Sequence, residues 1–318
     1  MLNKKIFALC LVIFLTNVNL VAANTENIID VEISEPAISV NNNVVFAKYR
    51  TWPQAELTMD IFVPGDNEKH PAVIFIPGGA WLAAPKGAFY QMPFKLAENN
   101  FVTACIEYRL IGAADYTEII GDAKAAVRYL RAHADEFNID KNKIAVIGSS
   151  VGGYLATMLG VTSGIKKFDF GDNIDQSSEV QAVVDFFGPT DLTKIADDYS
   201  DESKKLYYSP SSFVSLFANG VSVYKNRKGG SILDNPETAK ETNPLNYISK
   251  NTPPFLIFHG DNDKTVSPSQ SKILHDALTE NKIDSALYII NGGGHSEIYF
   301  YQPKPLKIII DFLNRVLK

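Results

Sequence analysis

The sequence has little cysteine, no long apolar run and no block of positive charge. It contains 2 Cys in 318 residues, so a framework of several disulfides is excluded and stability has to come from an apolar core. The longest fully apolar stretch, residues 6–15, is half the length of the roughly 20 residues that a membrane-spanning helix needs. A net charge of −6, without a run of five Lys or Arg residues, argues against nucleic acid as a partner.

The first 23 residues form a pattern of their own. Two lysines precede the apolar stretch, and Val21-Ala22-Ala23 places small residues at alternate positions before the expected cleavage point. This pattern predicts a cleaved secretory signal at residues 1–23 and a secreted or periplasmic protein, with a membrane anchor as the alternative. Cys10 would leave with the signal, and Cys105 would then be alone. The apolar surroundings of Cys105 predict a thiol buried in a strand.

Residues 24–318 show strands that alternate with helices. Short apolar, β-branched runs predict strands at 57–63, 72–76, 102–106, 144–147, 180–187, 255–258 and 286–290. Helical spacing of apolar residues predicts helices around 123–137 and 273–278 and a last one at 306–317. Several strands are continuously apolar, as parallel strands covered on both faces are. The pattern predicts one α/β domain with a mostly parallel sheet of about eight strands flanked by helices.

Residues 191–248 interrupt this alternation. They show no strong period, but aromatic side chains occur among the Ser, Asp, Lys and Asn residues: Tyr207, Tyr208, Phe213, Phe217 and Tyr224. A structureless loop of this length is uncommon in a compact domain, so we expect a small helical insertion over the sheet. Two interpretations of its aromatic residues stay open: they line a ligand pocket, or they pack the insertion onto the body.

A strand, a tight turn and a helix meet at Gly148-Ser149-Ser150-Val151-Gly152. Such a turn holds its central residue in a strained backbone conformation, and glycines two positions before and after it avoid a collision. The elbow exposes the Ser150 hydroxyl, and the amide of Val151 at the start of the helix can stabilise an oxyanion beside it. The motif is short enough to occur by chance. Its position between an apolar strand and a helix is what favours a nucleophile.

A serine nucleophile needs a base, and the sequence has five histidines. His295 is the preferred candidate because it follows a predicted strand. It also leaves room for an acid between the serine and itself, which is the chain order typical of elbow serines. His275 satisfies the order less well. We expect His70 in a polar turn and His133 and His275 within helices, with surface or packing roles.

The acid is expected just after the strand that ends near residue 258. Asp261 and Asp263 both qualify in the segment His259-Gly260-Asp261-Asn262-Asp263. Asp263 lies further from the strand, whereas the side chain of Asp261 suits the turn itself. His259 is then predicted to be a structural hydrogen-bonding residue beside the site. On these grounds both carboxylates stay open, with Asp263 preferred.

From about residue 43 to its end, the chain resembles secreted bacterial α/β-hydrolases of the feruloyl-esterase and acetylxylan-esterase kind, relatives of the hormone-sensitive-lipase group. The segments that carry the resemblance are Pro77-Gly78-Gly79-Ala80-Trp81, Glu107-Tyr108-Arg109-Leu110, Gly148-Ser149-Ser150-Val151-Gly152-Gly153, His259-Gly260-x-x-Asp263-x-x-Val266 and Gly294-His295. Pro77 stands where many relatives have histidine. A proline there removes no amide that an oxyanion hole built from later residues would use.

The resemblance implies an α/β-hydrolase fold and a role for each candidate residue. Ser150 would be the nucleophile, Asp263 the acid and His295 the base. The oxyanion hole that the resemblance implies consists of the backbone amides of Gly79, Ala80 and Val151.

The expected function is that of a secreted serine esterase that works through an acyl-enzyme, on acetyl or feruloyl esters of plant-wall polysaccharide. A general carboxylesterase or lipase, or a peptidase or amidase on the same fold, is the alternative. A non-catalytic binding protein is disfavoured because all three triad residues are present. The motifs H-E-x-x-H, C-x-x-C and G-x-x-x-x-G-K-[ST] are absent from the sequence, so no metal or cofactor is expected. Expected partners are small-molecule or oligosaccharide esters, without nucleic acid or stable membrane insertion.

Overall fold

The computed structural model describes residues 28–33, 36–49, 56–66, 68–221 and 228–317. The chain divides into two compact units, Met1–Ser34 and Glu35–Lys318. In the first unit, residues 28–33 form neither helix nor strand. The secretory signal predicted at residues 1–23 lies outside the described residues and stays a prediction. Within the described part of the chain, no helix is both long and apolar enough to cross a bilayer.

Within the described residues, the second unit is built on one sheet of eight strands. The strands are β1 (Ile38–Lys48), β2 (Glu56–Pro64), β3 (His70–Ile76), β4 (Val102–Ile106), β5 (Ile139–Ser149), β6 (Ala182–Phe186), β7 (Phe255–Gly260) and β8 (Ser285–Ile290). Their order across the sheet is β1-β2-β4-β3-β5-β6-β7-β8. The pairs β1–β2 and β2–β4 are antiparallel and the others are parallel. The predicted mostly parallel sheet is confirmed, and the carboxyl ends of β3 to β8 lie along one edge.

Seven of these strands were predicted from the sequence, and β1 was not. β1 is an edge strand whose first half is largely exposed and contains Asn41, Asn42 and Asn43. Its pairing with β2 shifts register between Asn41 and Val44, and Asn43 has a φ of 54°. Consecutive asparagines are typical of a turn, so neither an apolar run nor an alternation marks this strand.

Helices connect the strands and cover the sheet. Those in the described part of the chain are α1 (Gln91–Ala97), α2 (Tyr116–Ala132), α3 (Val151–Val161), α4 (Asp201–Tyr207), α5 (Phe213–Asn219), α6 (Pro236–Glu241), α7 (Pro268–Glu280) and α8 (Pro303–Val316). The apolar patterns around 123–137 and 273–278 correspond to α2 and α7. The predicted start of the last helix at residue 306 is wrong by about one turn. α8 begins at Pro303 because the first turn of a helix tolerates proline.

Apolar side chains cover both faces of the sheet. Successive residues of β3 show the division, because side chains alternate between faces along a strand. Ile74 belongs to the cluster that includes α2, α3 and α7, and Phe75 belongs to the cluster that includes α1 and α8. Cys105 on β4 is fully buried, which confirms the predicted buried thiol. These two layers hold the strand ends in place, and the loops that follow the strands are positioned by them.

The described residues between 191 and 248, here called the excursion, contain the three short helices α4, α5 and α6. Phe217 of α5 is buried, and its ring stacks on that of Trp81 with the centroids 3.9 Å apart. Tyr207 of α4 donates a hydrogen bond to the carbonyl oxygen of Thr265. For these two aromatic residues the contacts favour packing of the excursion onto the body. Tyr224 lies outside the described residues.

Candidate active site

Ser150 lies in the turn between β5 and α3. Its φ of 54° and ψ of −126° are a strained combination for a residue with a side chain. A Cβ on Gly148 would lie 2.0 Å from the carbonyl oxygen of Gly152, and a Cβ on Gly152 would lie 2.1 Å from the carbonyl oxygen of Ile76. Both positions therefore require glycine, as the motif predicts.

His295 lies between Ser150 and an acid. Its Nε2 is 3.0 Å from Ser150 Oγ, and its Nδ1 is 2.7 Å from Asp263 Oδ2. Asp263 follows β7 and His295 follows β8, so the ends of neighbouring strands bring the three predicted residues together. Asp261 is directed elsewhere, since its Oδ1 accepts a hydrogen bond from the amide of Gly292 at 2.7 Å. Of the two carboxylates that the residue pattern left open, Asp263 is the one in contact with His295.

The carboxylate of Asp263 is buried, with 3% of its residue surface exposed. Its Oδ1 accepts hydrogen bonds from the amides of Thr265 at 2.8 Å and Val266 at 3.0 Å. Its Oδ2 faces the imidazoles of His295 and, at 3.2 Å, His259. Burial by itself raises the pKa of this carboxyl, but the hydrogen bonds from the two histidines outweigh it and hold the pKa of Asp263 well below its usual range. The side chain is therefore ionised at neutral pH.

The remaining histidines lie outside this hydrogen-bond chain. His70 was expected in a polar turn, but pairing with β5 extends β3 to include it, and its buried Nε2 is 2.7 Å from Asp66 Oδ1. His133 was expected within a helix, but α2 ends one residue earlier and His133 is its C-cap. His275 lies in α7 as predicted, with Nδ1 2.9 Å from Ser285 Oγ. These contacts support structural roles for the three side chains.

The backbone after β3 turns sharply beside Ser150. Three successive residues have φ in the left-handed region: Gly79 at 141°, Ala80 at 55° and Trp81 at 56°. A Cβ on Gly79 would lie 2.2 Å from a backbone oxygen, so this position requires glycine. The turn packs on the elbow, because a Cβ on Gly78 would lie 3.0 Å from the Cβ of Ser150. Residues 77–83, here called the oxyanion loop, are thereby held next to the serine.

The amides predicted to stabilise an oxyanion remain available for a ligand. Among the described residues, the amides of Gly79 and Ala80 donate no hydrogen bond. Val151 is the first residue of α3, where an amide has no helical carbonyl to bond to. The positive end of the helix dipole lies at the same point. All three amides therefore keep the donors that the predicted oxyanion hole needs.

Phe187 is a residue beside the site that the sequence analysis did not single out. The strand predicted at 180–187 ends at Phe186, and Phe187 has a φ of 45° that is strained for a bulky residue. Its amide bonds to the carbonyl oxygen of Phe258 at 2.8 Å, and its ring centroid lies 4.4 Å from that of His295. The ring of Phe187 thus packs against the imidazole at an angle of 52°. The continuous apolar run concealed the bend, because a buried strand and its buried exit look alike in sequence.

Asp185 is a buried carboxyl beside the start of α3. Its Oδ1 accepts a hydrogen bond from the amide of Gly188 at 2.9 Å and would lie 2.1 Å from a Cβ on Gly153. Burial raises the pKa of Asp185 to about 7, against the opposing effect of the Gly188 amide. The carboxyl therefore changes its charge close to neutral pH.

Asp185→Asn is expected to be more thermostable than the wild type at about pH 8, on the order of 5 °C in Tm, and to lose this advantage progressively as the pH falls from 7 towards 3.8. The folded pKa lies above the ordinary value of 3.8, so the folded state binds a proton that the unfolded state lacks between these pKa values. The stability that the wild type draws from this group is present at low pH and falls as the pH rises through 7. Scanning fluorimetry at a series of pH values measures the difference in Tm between the variant and the wild type. A difference that does not change with pH would contradict the prediction.

No metal site accompanies these residues in the described ranges, where no group of three or more His, Cys, Asp or Glu side chains is placed to hold an ion. The elbow serine is followed by an aspartate and a histidine after later strands of a mostly parallel sheet. This arrangement is typical of serine hydrolases with the α/β-hydrolase fold. The family model BD-FAE matches residues 59–278. The chain belongs to that family, which groups with hormone-sensitive-lipase-like esterases. The matched range includes Ser150 and Asp263 and ends before His295.

Relatives and solved structures agree with this assignment. The Arabidopsis thaliana protein named "Probable isoprenylcysteine alpha-carbonyl methylesterase ICMEL1" is 25% identical over 247 residues, 77% of this chain and 49% of that protein. Esterase LipC of Mycobacterium tuberculosis is 29% identical over 227 residues, 71% of this chain and 52% of that protein. The chain thus spans about half the length of these curated relatives. A structure titled as a truncated form of a carbohydrate esterase from gut microbiota has a TM-score of 0.76 at 26% identity, and covers 89% of this chain and 98% of that one.

Proposed function

We propose that the protein is a serine ester hydrolase that removes acetyl or feruloyl groups from carbohydrate esters through an acyl-enzyme. The observation that carries this proposal is the hydrogen-bond chain from Ser150 Oγ to His295 Nε2 at 3.0 Å and from His295 Nδ1 to Asp263 Oδ2 at 2.7 Å. An imidazole held between a hydroxyl and a buried carboxylate can take the hydroxyl proton. The likeness to a structure titled as a carbohydrate esterase supports the choice of carbohydrate esters.

In the proposed reaction, Ser150 Oγ attacks the ester carbonyl carbon while His295 Nε2 accepts its proton. Asp263 holds the ring with its hydrogen on Nδ1 and stabilises the imidazolium. The negative charge on the carbonyl oxygen is stabilised by the amides of Gly79, Ala80 and Val151. The tetrahedral intermediate breaks down as Nε2 returns the proton to the leaving alcohol. Water then attacks the acyl-enzyme in the same way and releases the acid.

A panel of substrates tests the proposed substrate class. We expect hydrolysis of short-chain aryl esters together with release of acetate from acetylated xylan or of ferulate from methyl ferulate. Hydrolysis of long-chain esters alone would support a general lipase, and hydrolysis of an aryl anilide would support a peptidase or amidase. A protein that hydrolyses no ester and is not labelled by a fluorophosphonate would support a binding role.

Tyr108 connects the two ends of the oxyanion loop. Its buried hydroxyl is 3.0 Å from the carbonyl oxygen of Pro77 and 3.3 Å from that of Ala83. Tyr108→Phe is expected to lower kcat roughly two- to tenfold with little change in KM, because the loop that presents the oxyanion donors loses this tie. Steady-state kinetics on para-nitrophenyl acetate measures the effect. Tyr247→Phe is the control, because it removes a hydroxyl bonded to the carbonyl oxygen of Glu241 at 2.8 Å, and it should keep the wild-type kcat. Equal losses of kcat in the two variants would contradict the role of Tyr108 in holding the oxyanion loop.

The proposal includes export to the periplasm or the medium. Its support is the signal-like pattern of residues 1–23. Amino-terminal sequencing of the protein recovered from each cell fraction tests it. We expect a mature chain that lacks these residues. Recovery of the chain with Met1 in the cytoplasmic fraction would contradict it.

A further inference from the structure

His259 is a second imidazole in contact with the carboxylate of Asp263. It lies in β7, four residues before Asp263, and its side chain is fully buried. Its Nε2 is 3.2 Å from Asp263 Oδ2, the oxygen that also faces His295 Nδ1 at 2.7 Å. None of the reaction steps above uses this ring.

The partners of His259 define where its hydrogen lies. Nε2 is also 2.9 Å from the carbonyl oxygen of Val266, so it faces two oxygen atoms that act only as acceptors. Nε2 therefore carries a hydrogen, which it donates to the Val266 carbonyl oxygen, and the Asp263 carboxylate oxygen lies beside the same N–H at 3.2 Å. On the other side of the ring, Nδ1 is 2.7 Å from Ser271 Oγ, a hydroxyl that can donate to it. The contact with Ser271 favours the same tautomer in an uncharged ring.

An apolar ring packs beside both imidazoles. The ring centroid of Phe187 lies 4.4 Å from that of His295 and 6.3 Å from that of His259, and Phe187 is 1% exposed. The further titratable groups that interact electrostatically with this cluster are Asp185 on β6 and Tyr199 and Tyr207 of the excursion. At low local dielectric, a hydrogen bond to a carboxylate is stronger than in water.

We propose that His259 is a positioning residue whose Nε2–H, bonded to the Val266 carbonyl oxygen and 3.2 Å from Asp263 Oδ2, keeps that carboxylate oxygen in line with the Nδ1 of His295. His295 then keeps the tautomer whose Nε2 accepts the proton of Ser150. The role rests on the proposed function, because it is defined relative to that base. A ring that served packing alone would not need both nitrogens engaged, and an apolar side chain would fill the space without the cost of burying polar atoms.

Four variants separate this role from a structural one. His259→Leu removes the donor. His259→Gln restores an N–H donor, because the glutamine amide nitrogen reaches the place of Nε2. The shorter side chain in His259→Asn reaches only the place of Nδ1 and does not restore it. His275→Leu is the matched control. It breaks a similar pair, His275 Nδ1 with Ser285 Oγ at 2.9 Å, that does not contact the triad.

We expect kcat on para-nitrophenyl acetate to fall roughly ten- to hundredfold in His259→Leu and His259→Asn, the effect of losing a hydrogen bond to a charged group, with KM nearly unchanged. His259→Gln should regain most of this loss, and His275→Leu should keep wild-type kcat. The rate at which a fluorophosphonate labels Ser150 should follow the same order. The acid limb of the kcat/KM profile should move to higher pH in His259→Leu, because a carboxylate with one donor fewer attracts the proton on His295 more strongly.

Two results would overturn the proposal: wild-type kcat in His259→Leu, or equal losses in the Gln and Asn variants, which a merely structural role would produce. If His259→Leu does not fold, the comparison of Gln with Asn decides alone. A wild-type protein that reacts with the fluorophosphonate but hydrolyses no ester would contradict the proposed function, and the labelling rates would still decide the role of His259. A wild-type protein inert to both reagents would contradict both proposals.

Discussion

Replacing Ser150 with alanine is expected to lower kcat for ester hydrolysis by about a millionfold, the size of loss that follows removal of a nucleophile from a hydrogen-bonded triad. The substitution removes the hydroxyl that lies 3.0 Å from His295 Nε2 and leaves the base without a proton to accept. KM should change little, because the oxyanion loop remains. Steady-state kinetics with a substrate that gives a sensitive fluorescent product measures a loss of this size.

The neighbouring serine provides the control for this prediction. Ser149 is buried at the end of β5, and its hydroxyl has no hydrogen-bond partner among the described residues. Ser149→Ala removes the same hydroxyl group from the same elbow and should keep kcat within about twofold. A large loss in Ser149→Ala would assign the effect to damage of the elbow. Wild-type activity in Ser150→Ala would contradict its role as nucleophile.

Asp263→Asn is expected to lower kcat by about 10⁴-fold at neutral pH. The asparagine amide would donate to His295 Nδ1 and so favour the tautomer with a hydrogen on Nε2, which cannot accept the serine proton. The amide would also place donors opposite the N–H of His259, at the oxygen now 3.2 Å from its Nε2. Kinetics on para-nitrophenyl acetate and the rate of fluorophosphonate labelling should fall together, while KM stays near the wild-type value.

Asp261→Asn is the matched control, since it makes the same chemical change two positions earlier. Asp261 Oδ1 accepts a hydrogen bond from the amide of Gly292 at 2.7 Å, a bond that the asparagine carbonyl oxygen can also accept. We expect kcat within about threefold of the wild type. If Asp261→Asn lost activity and Asp263→Asn kept it, the acid would be the other carboxylate and the contact seen here would not be the functional one.

Local chemistry made the elbow predictable from sequence. The glycine at 148 is required by a contact of 2.0 Å with Gly152 in the same turn, so this constraint lies within a window of a few residues. The glycine at 152 is required by the carbonyl oxygen of Ile76 on β3 at 2.1 Å, and there the local motif coincides with a tertiary contact. The apolar spacing of α2 and α7 is also local, because it repeats within each helix. β1 escaped prediction for the opposite reason: its place in the sheet depends on pairing with β2 rather than on its own asparagine-rich sequence.

The histidines show the limit of reasoning from position along the chain. His70 looked like a turn residue because a proline follows it, yet pairing with β5 makes it part of β3. His259 was predicted beside the site, but its contact with the same carboxylate oxygen as His295 could not be derived from spacing. That contact depends on how the loop after β7 folds back on the strand.

The order of chemical groups along this chain was sufficient to determine its class of fold and to nominate a serine, a histidine and one of two aspartates. Strand periodicity, glycine at an elbow and the sequence of strand ends are all properties of short segments. The contact of the preferred Asp263 with His295, the strained backbone conformation of Phe187 and the second imidazole beside the carboxylate were shown only by the tertiary structure. Each depends on the register of β6, β7 and β8 and on the way their exit loops meet, which involves residues distant in sequence and leaves no periodic trace in it.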